Sequence, residues 1–309
     1  MRILVTGAGG FVGRTLLADG RAGEREVLAP DRREVDLHDL GACRAYLERA
    51  CPDLIIHLAG RVGGIGANLA APASFLQDNL TIGVNLLRAA FELRTPRLIN
   101  LASSCMYPKD HQGALKETDL LTGRLEPTNE GYATAKLAIW KLARAMRVAR
   151  PELAWVTLIP PNLYGPYDHF QPDRSHLVAA AIIKVLTAHR MGQDEVEVWG
   201  DGTARREFLF APDLADFIWS HIAKVDQLPE TMNIGVGTDH SIDDYYQAIS
   251  QAVGFGGRFV HDLTRPTGMR RKLLDVALQA RLGWRPLTDL ATGLSLTVAH
   301  ARSLGVDGS

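Results

Sequence analysis

The chain has 309 residues, of which 46% are hydrophobic and 22% charged, and its formal net charge is −1. This balance predicts a globular protein of one large or two modest domains, with no reason to expect nucleic acid or a membrane as a partner. No apolar run reaches the length of a membrane span. We expect no signal peptide, because Met1 and Arg2 lead directly into the first predicted strand. The spacing of the three cysteines suggests neither a disulfide framework nor a metal site, so we expect no metal and a cytoplasmic location.

The chain begins with a short apolar run at residues 2–6, which predicts a buried strand. The strand leads into G-A-G-G-F-V-G, and a helical pattern follows at once. Glycines let the backbone approach a pyrophosphate, and the N-terminus of the following helix faces the negative charge. The turn therefore predicts a dinucleotide site formed by Gly7, Gly10, Phe11, Val12 and Gly13.

The second predicted strand, at residues 26–29, ends in P-D-R-R. An acidic residue at this point usually binds the ribose diol of NAD, whereas an arginine accommodates the 2′-phosphate of NADP. Asp31 and Arg32 are adjacent here, so the residues alone leave the choice between NAD and NADP open.

The next elements alternate between helix and strand. A helix is predicted at residues 40–50 and a buried strand at 53–58, which ends in H-L-A-G and places Leu58 and Ala59 near the cofactor. We expect His57 to be structural. A long helix at 72–93 and a strand at 97–102 follow, and the strand places Ser103 at the carboxyl edge of the sheet, where open α/β folds bind ligands.

A helix predicted at residues 132–148 carries Tyr132 and Lys136, four residues apart and hence on one face. A phenol beside an ammonium is a recognisable acid–base device, because a nearby cation favours the phenolate and lowers the pKa of the phenol. Ser103 can hold the same reacting oxygen, and Cys105 adds an ionisable group near the same strand end. A lone Y-x-x-x-K is weak evidence, but its context here favours catalysis.

The remaining segments predict further short elements. A strand at 155–159 is followed by P-P-N-L-Y-G-P, a shaped turn with Pro160, Asn162 and Leu163 on the cofactor side. The later helices are predicted at 177–188, 212–224, 241–253 and 287–303, and the later strands at 195–199, 232–235 and 258–261. Residues 200–209 predict a turn followed by another strand, and a basic run, M-R-R-K-L-L-D, stands at 269–275.

The alternation predicts an α/β fold of the Rossmann type, with a doubly wound parallel sheet and a smaller α/β C-terminal lobe. We assign residues 1–165, with returning segments near 206–235, to the dinucleotide-binding domain. Residues 166–309 form a discontinuous lobe for the substrate, and we expect the ligand to lie between the two.

Several motifs, in this order, resemble the GDP-L-fucose synthase family of the extended short-chain dehydrogenase/reductase superfamily. They are H-L-A-G-R-V-G-G-I-G-A-N, S-S-C-M-Y-P, L-E-P-T-N-E-G-Y-A-T-A-K, N-L-Y-G-P-Y-D, S-H at 175–176, G-T-A-R-R-E-F-L and R-K-L-L-D. The resemblance covers about residues 2–284. It implies 3,5-epimerisation and 4-reduction of a GDP-4-keto-6-deoxy sugar, with NADP(H) favoured and NAD(H) open, and it implies a homodimer.

The resemblance also implies a role for individual residues. Ser103, Tyr132 and Lys136 match the reductase triad, and Cys105 and His176 match the two epimerase acid/base positions. Arg32 matches an arginine that meets the 2′-phosphate. The substrate positions are Asn162, His176, Lys184, Trp199, Arg206 and Lys272, with an arginine more usual at 184.

The resemblance implies one site for both steps. The 4-keto group makes the C3 and C5 hydrogens acidic, so Cys105 and His176 can remove and return protons. Ser103 and Tyr132 stabilise the enolate oxygen, and Tyr132 then protonates O4 during reduction. Three departures stand out: Gly9 replaces an arginine that often binds the phosphate, Asp31 is unexpected, and Gly60 replaces an alanine.

Three other readings compete with the synthase. One is an epimerase without net reduction, similar to GDP-mannose 3,5-epimerase, which would keep its NAD. Another is the same chemistry on a GDP-heptose. The third is a non-catalytic dinucleotide-sensing protein on this fold, which would have no need of the serine, tyrosine and lysine together.

Overall fold

Thirteen strands and ten α-helices make up the part of the chain that the computed structural model describes, residues 1–171, 175–265 and 268–306. The strands are β1 Arg2–Thr6, β2 Glu26–Leu28, β3 Leu54–His57, β4 Arg97–Leu101, β5 Ala154–Ile159, β6 Asn162–Tyr164, β7 Glu195–Trp199, β8 Arg205–Arg206, β9 Phe208–Phe210, β10 Thr231–Asn233, β11 His240–Ser241, β12 Arg258–Asp262 and β13 Arg271–Lys272. The helices are α1 Phe11–Ala18, α2 Leu40–Ala50, α3 Ile65–Ala70, α4 Pro72–Glu92, α5 Glu130–Ala149, α6 Leu177–Arg190, α7 Ala211–His221, α8 Ile242–Val253, α9 Ala277–Arg281 and α10 Leu290–Ser303.

The central sheet has six parallel strands in the order β10-β5-β4-β3-β1-β2. The chain moves from β1 to β2 on one side and then continues with β3 on the other side of β1. The strand order therefore reverses between β1 and β3, and a ligand crevice is expected above the carboxyl ends of these strands.

Helices cover both faces of this sheet because its strands are apolar on both sides. Ile3 and Val5 of β1 belong to a core shared with α1 and α7, whereas Leu4 belongs to a core shared with α2, α4 and α5. Successive side chains of a strand point to opposite faces, so one uninterrupted apolar run supplies both cores. This arrangement confirms the doubly wound parallel sheet.

The C-terminal segments form a second apolar core, in which α6, α8 and α10 pack with β7 and β12. A small sheet in the order β11-β8-β13 lies beside it. Among the described residues, no helix is long and apolar enough to cross a membrane.

The sequence boundaries differ from the structure in a few places. The proline-rich turn after β5 contains the short strand β6, which pairs with β9. The helix expected at 212–224 ends at His221, and a 3-10 helix, Ile222–Gln227, continues it. The last helix begins at Leu290 rather than 287, because Asp289 caps it by accepting from the backbone N–H of Thr292.

Candidate active site

A cavity of about 1390 Å³ opens above the carboxyl ends of the central strands and extends toward the C-terminal lobe. Every residue that the sequence predicted for cofactor, catalysis or substrate lines this cavity. Residues separated by up to 265 positions in the chain, from Gly7 to Lys272, are thus brought to one site by the sheet edge and the lobe above it.

The glycine turn after β1 has the tight geometry that the sequence suggested. Gly7 has a φ of +73°, and a Cβ there would lie 2.6 Å from the backbone nitrogen of Ala59. A Cβ at Gly13 would lie 2.3 Å from the carbonyl oxygen of Gly7. No side chain of the described residues caps the first turn of α1, whose N-cap is Gly10 and whose first residues line the cavity. Its free N–H groups suit an anionic diphosphate.

The carboxylate of Asp31 is occupied within its own turn. Its Oδ1 accepts from the backbone N–H groups of Arg33 and Glu34 at 2.7 and 3.2 Å, and its Oδ2 accepts from the guanidinium of Arg33 at 2.8 Å. The hydrogen bond from the Arg33 side chain is the largest of the effects that hold the pKa of Asp31 below its usual range. Arg32 lines the cavity beside this carboxylate, whose negative charge is offset by Arg33.

Of two glycine departures from the family pattern, the structure explains Gly60 but not Gly9. A Cβ on Gly60 would lie 2.7 Å from Oδ1 of Asn79, and that oxygen accepts from the backbone N–H of Arg61. The absent methyl group therefore leaves room for an amide that fixes the loop after β3. At Gly9, by contrast, a Cβ would meet nothing within 4 Å, so sterics do not explain the missing arginine.

Tyr132, Lys136 and Ser103 converge at the end of β4. Lys136 is 5% exposed, and its Nζ donates to the carbonyl oxygen of Leu101 at 3.0 Å. The same Nζ lies 5.7 Å from the centre of the Tyr132 ring. Both side chains project from the first turns of α5 toward the strand end that carries Ser103, as the four-residue spacing requires.

The pKa of Tyr132 does not follow the direction that we expected. Burial raises the pKa of Tyr132, the charge of Cys105 raises it further, and a hydrogen bond from Ser103 lowers it. Burial has the largest effect on the phenol, and burial also lowers the pKa of Lys136 to about 8, while its ammonium donates to Leu101. The phenol therefore rests protonated, which suits a proton donor.

Cys105 lies in the short turn after β4 with two hydrogen-bond donors on its sulfur. Nδ2 of Asn129 donates to Sγ at 3.1 Å, and Nζ of Lys272 lies 3.7 Å away. Lys272 is 8% exposed, so its charge is held next to the sulfur rather than in solvent. These two donors fix the position of the sulfur in the cavity.

His176 precedes α6 and lines the same cavity. Burial lowers the pKa of His176, and the nearby charges of His169 and Lys272 lower it further. A neutral imidazole at neutral pH can accept a proton or pass one on.

The opposite end of the cavity is basic and aromatic. Trp199 is 45% exposed, with Nζ of Lys184 and Cζ of Arg265 at 5.3 and 5.1 Å from its ring centre. Arg206 is partly buried, and burial lowers its pKa. This end can stack a flat ring and bind phosphate oxygens.

Three residues of this region were not singled out from the sequence. Asn129 stands within the E-P-T-N-E motif, so the signal was present, but its contact with Cys105 spans 24 positions. Asp168 lines the cavity, and its Oδ2 has no partner among the described residues. Glu207, next to Arg206, is buried just outside the cavity lining.

Comparison with known proteins agrees with this geometry. Residues 3–235 match the model of the NAD dependent epimerase/dehydratase family. The chain is 46% identical to a GDP-L-colitose synthase from Yersinia pseudotuberculosis, and the match covers 97% of each chain. It is 44% identical to a GDP-L-fucose synthase from Azorhizobium caulinodans, over 97% of this chain and 96% of the relative.

Solved structures extend the similarity to the whole fold. A GDP-L-fucose synthetase from Naegleria fowleri bound to NADP has a TM-score of 0.85 and 26% identity, covering 97% of this chain and 94% of that one. A GDP-mannoheptose C4 reductase from Campylobacter jejuni with NADP bound has a TM-score of 0.87 and 26% identity, covering 97% and 98%. These comparisons confirm the resemblance and the fold class that the sequence motifs indicated.

Proposed function

This chain belongs to the NAD dependent epimerase/dehydratase family, and we propose that it is an epimerase-reductase of a GDP-4-keto-6-deoxy sugar. The product would be GDP-L-fucose or a close relative. One observation carries the proposal: two sets of acid/base residues, Ser103-Tyr132-Lys136 and Cys105-His176, line one cavity whose far end is basic. Full-length relatives that are named GDP-L-fucose and GDP-L-colitose synthases support it.

We assign the reduction to Ser103, Tyr132 and Lys136, whose side chains converge at the end of β4. Tyr132 rests as a protonated phenol and donates its proton to O4 of the sugar, while the hydroxyl of Ser103 holds the same oxygen. Lys136 carries the adjacent positive charge and is fixed by Leu101. When bound, the reduced nicotinamide cofactor supplies the hydride for C4.

The epimerisation belongs to Cys105 and His176. The hydrogens at C3 and C5 are acidic because they flank the carbonyl group, so one of the two residues removes a proton and the other returns one. The negative charge that develops on O4 meets Ser103 and Tyr132. Because epimerisation and reduction need the same carbonyl, one pocket can serve both steps.

We assign the basic and aromatic end of the cavity to binding of the nucleotide part of the substrate. We propose that the diphosphate lies near Arg206 and Lys184, and that the exposed ring of Trp199 stacks against the base. Lys272 reaches the sugar end, because its ammonium lies beside the sulfur of Cys105.

For the cofactor we propose NADP(H). The uncapped first turn of α1 suits its diphosphate, with no side chain of the described residues in competition. Asp31 has both carboxylate oxygens engaged in its own turn, so it is poorly placed to accept the two ribose hydroxyls of NAD. The neighbouring Arg32 is then the charge available for a 2′-phosphate.

Assembly and location complete the proposal. The resemblance implies a homodimer through α4 and α5, which light scattering of the purified protein would test. Cys43, Cys51 and Cys105 are all unpaired, which fits a reducing compartment such as the cytoplasm.

The test is an incubation in deuterated water with GDP-4-keto-6-deoxymannose and either NADPH or NADH. Deuterium at C3 and C5 together with oxidation of one cofactor is the expected result, and it identifies that cofactor. Deuterium without cofactor oxidation would indicate an epimerase that performs no net reduction. Neither signal from folded protein would overturn the proposal for this sugar and leave a GDP-heptose or a non-catalytic role to examine.

A further inference from the structure

Glu207 is a buried carboxylate that joins three segments behind the basic end of the cavity. Its side chain is 1% exposed. Oε1 accepts from the backbone N–H groups of Val236 and Gly237 at 2.6 and 2.9 Å, and Oε2 accepts from the backbone N–H of Leu274 at 2.7 Å. Both oxygens therefore act as acceptors for backbone N–H groups that lie outside the named strands and helices. The chain around Leu274 also forms a bridge with Leu115.

The joined segments include those that carry the cavity's basic residues. Arg206 and Lys272 are paired in register between β8 and β13, and the backbone N–H of Glu207 donates to the carbonyl oxygen of Lys272 at 3.1 Å. Leu274 is two residues after Lys272. Val236 and Gly237 follow β10, an edge strand of the central sheet. The carboxylate thus ties the pair β8–β13 to the end of β10.

The fit around this carboxylate is close. A Cβ on Gly235 would lie 2.3 Å from Oε1, so only glycine leaves space for it there. Burial raises the pKa of Glu207 to about 7, against the opposing effect of the three backbone donors. Ionisable groups with perturbed pKa values cluster at functional sites, so this buried carboxylate beside the ligand cavity is a candidate for a functional role.

We propose that Glu207 is a positioning residue for the nucleotide sugar. By tying β8 and β13 to the central sheet, it fixes the backbone from which Arg206 and Lys272 enter the cavity. Glu207 itself does not line the cavity, so it acts through these two residues. The inference rests on the proposed function, because it concerns how that substrate's basic contacts are held.

A matched control lies on the other side of the same loop. Gln279 is 2% exposed, and its amide exchanges two hydrogen bonds with the backbone of Gly235, at 2.8 and 2.9 Å. It therefore holds the loop after β10 but bonds neither β8 nor β13. Its replacement loosens the same loop without releasing the segment of Leu274.

The experiment compares Glu207→Gln with Gln279→Met. The amide of a glutamine at 207 has one accepting oxygen and one donating NH2 group. It therefore cannot accept hydrogen bonds on one side from Leu274 and on the other from Val236 and Gly237. In the ligand-free protein, hydrogen–deuterium exchange of the peptide 270–275 should become faster in Glu207→Gln and stay unchanged in Gln279→Met. Isothermal titration calorimetry should show that Glu207→Gln binds GDP about tenfold more weakly than the unmodified protein, whereas Gln279→Met binds GDP with unchanged affinity. The affinity for NADPH should be unchanged in both variants.

Three results would overturn the positioning role. They are unchanged exchange of 270–275 in Glu207→Gln, unchanged GDP affinity in that variant, and an equal loss of GDP affinity in both variants. Failure of the unmodified protein to bind GDP would overturn the proposed function instead, and the exchange measurement, which uses no ligand, would still decide the role of Glu207. If Glu207→Gln does not fold, Glu207→Asp, which is one methylene too short to reach both sides, replaces it with the same expected direction.

Discussion

The side-chain amide of Asn129 donates a hydrogen bond to the sulfur of Cys105 at 3.1 Å. Asn129 ends the short 3-10 helix Pro127–Asn129 and directly precedes α5, the helix that carries Tyr132 and Lys136. One continuous stretch thus supports the residues proposed for reduction and also fixes the sulfur proposed for epimerisation. The two steps can be separated by substitution only if the change leaves this stretch in place.

Cys105→Ser makes such a change, since serine keeps the size and the hydrogen bond from Asn129 but is a far weaker acid. We expect incorporation of deuterium at C3 and C5 to fall by about 100-fold or more, with NADPH affinity unchanged. Mass spectrometry of the product in deuterated water measures the first quantity and calorimetry the second. Cys51→Ser, which alters an exposed thiol on the C-cap of α2, is the control. Unimpaired exchange in Cys105→Ser would remove Cys105 from the mechanism.

Tyr132→Phe removes only the hydroxyl, so the ring keeps its position beside the ammonium of Lys136. The phenol is the proposed proton donor to O4, and loss of a general acid typically lowers a rate by about 10²–10⁴-fold. Consumption of NADPH should therefore fall by that amount when it is followed by absorbance. Tyr46→Phe, a hydroxyl removed from α2, should leave the rate unchanged. A Tyr132→Phe variant with full reductase activity would refute the proposed triad.

Much of the fold was predictable because its signals are local. The apolar run of β1, the glycine turn and the four-residue spacing of Tyr132 and Lys136 each act within a few positions. The parallel sheet then carries the strand-end residues to the same edge, which is why the predicted residues share one cavity.

The features that were not predicted depend on contacts between distant parts of the chain. Lys272 reaches Cys105 across 167 positions, so nothing in the basic run near 270 indicated that this ammonium would lie at a sulfur. The expected direction of the Tyr132 pKa was wrong because the spacing shows that Lys136 is near the phenol but not that the phenol is buried beside Cys105. Nor does the spacing show that the ammonium of Lys136 donates to the carbonyl oxygen of Leu101. Burial and main-chain partners of this kind have no pattern in the sequence.

Arg32 and Arg33 are neighbours with different partners, which gives a direct test of cofactor choice. Arg33 is bonded to Asp31, whereas Arg32 is proposed to meet the 2′-phosphate. Arg32→Ala should raise the KM for NADPH by about 10- to 100-fold, the effect of one lost charge-assisted contact, and leave the KM for NADH unchanged. Arg33→Ala should instead lower the KM for NADH, because the Asp31 carboxylate is released. Equal KM changes for both cofactors in Arg32→Ala would contradict the assignment.

The buried imidazole of His57 predicts that the protein loses stability at acidic pH. His57 is 1% exposed, and its Nδ1 lies 2.8 Å from Oγ1 of Thr6. Burial, followed by the charge of Lys136, lowers the pKa of His57 to about 3 from an ordinary value of 6.5. Between these values the unfolded chain binds a proton that the folded protein does not, so the stability contributed by the neutral imidazole is complete above about pH 6.5 and is lost as the pH falls.

His57→Gln isolates this effect, because the amide can keep a hydrogen bond with Thr6 but does not titrate. Each pH unit below the unfolded pKa costs about 1.4 kcal/mol, so between pH 6.5 and pH 5 the unmodified protein should lose about 2 kcal/mol more than the variant. Urea unfolding at both pH values gives the two differences in free energy of unfolding. His38→Gln, which removes an exposed histidine, should retain the full loss. If His57→Gln loses as much stability on acidification as the unmodified protein, then His57 takes up its proton in the folded state and the burial argument for its low pKa is wrong.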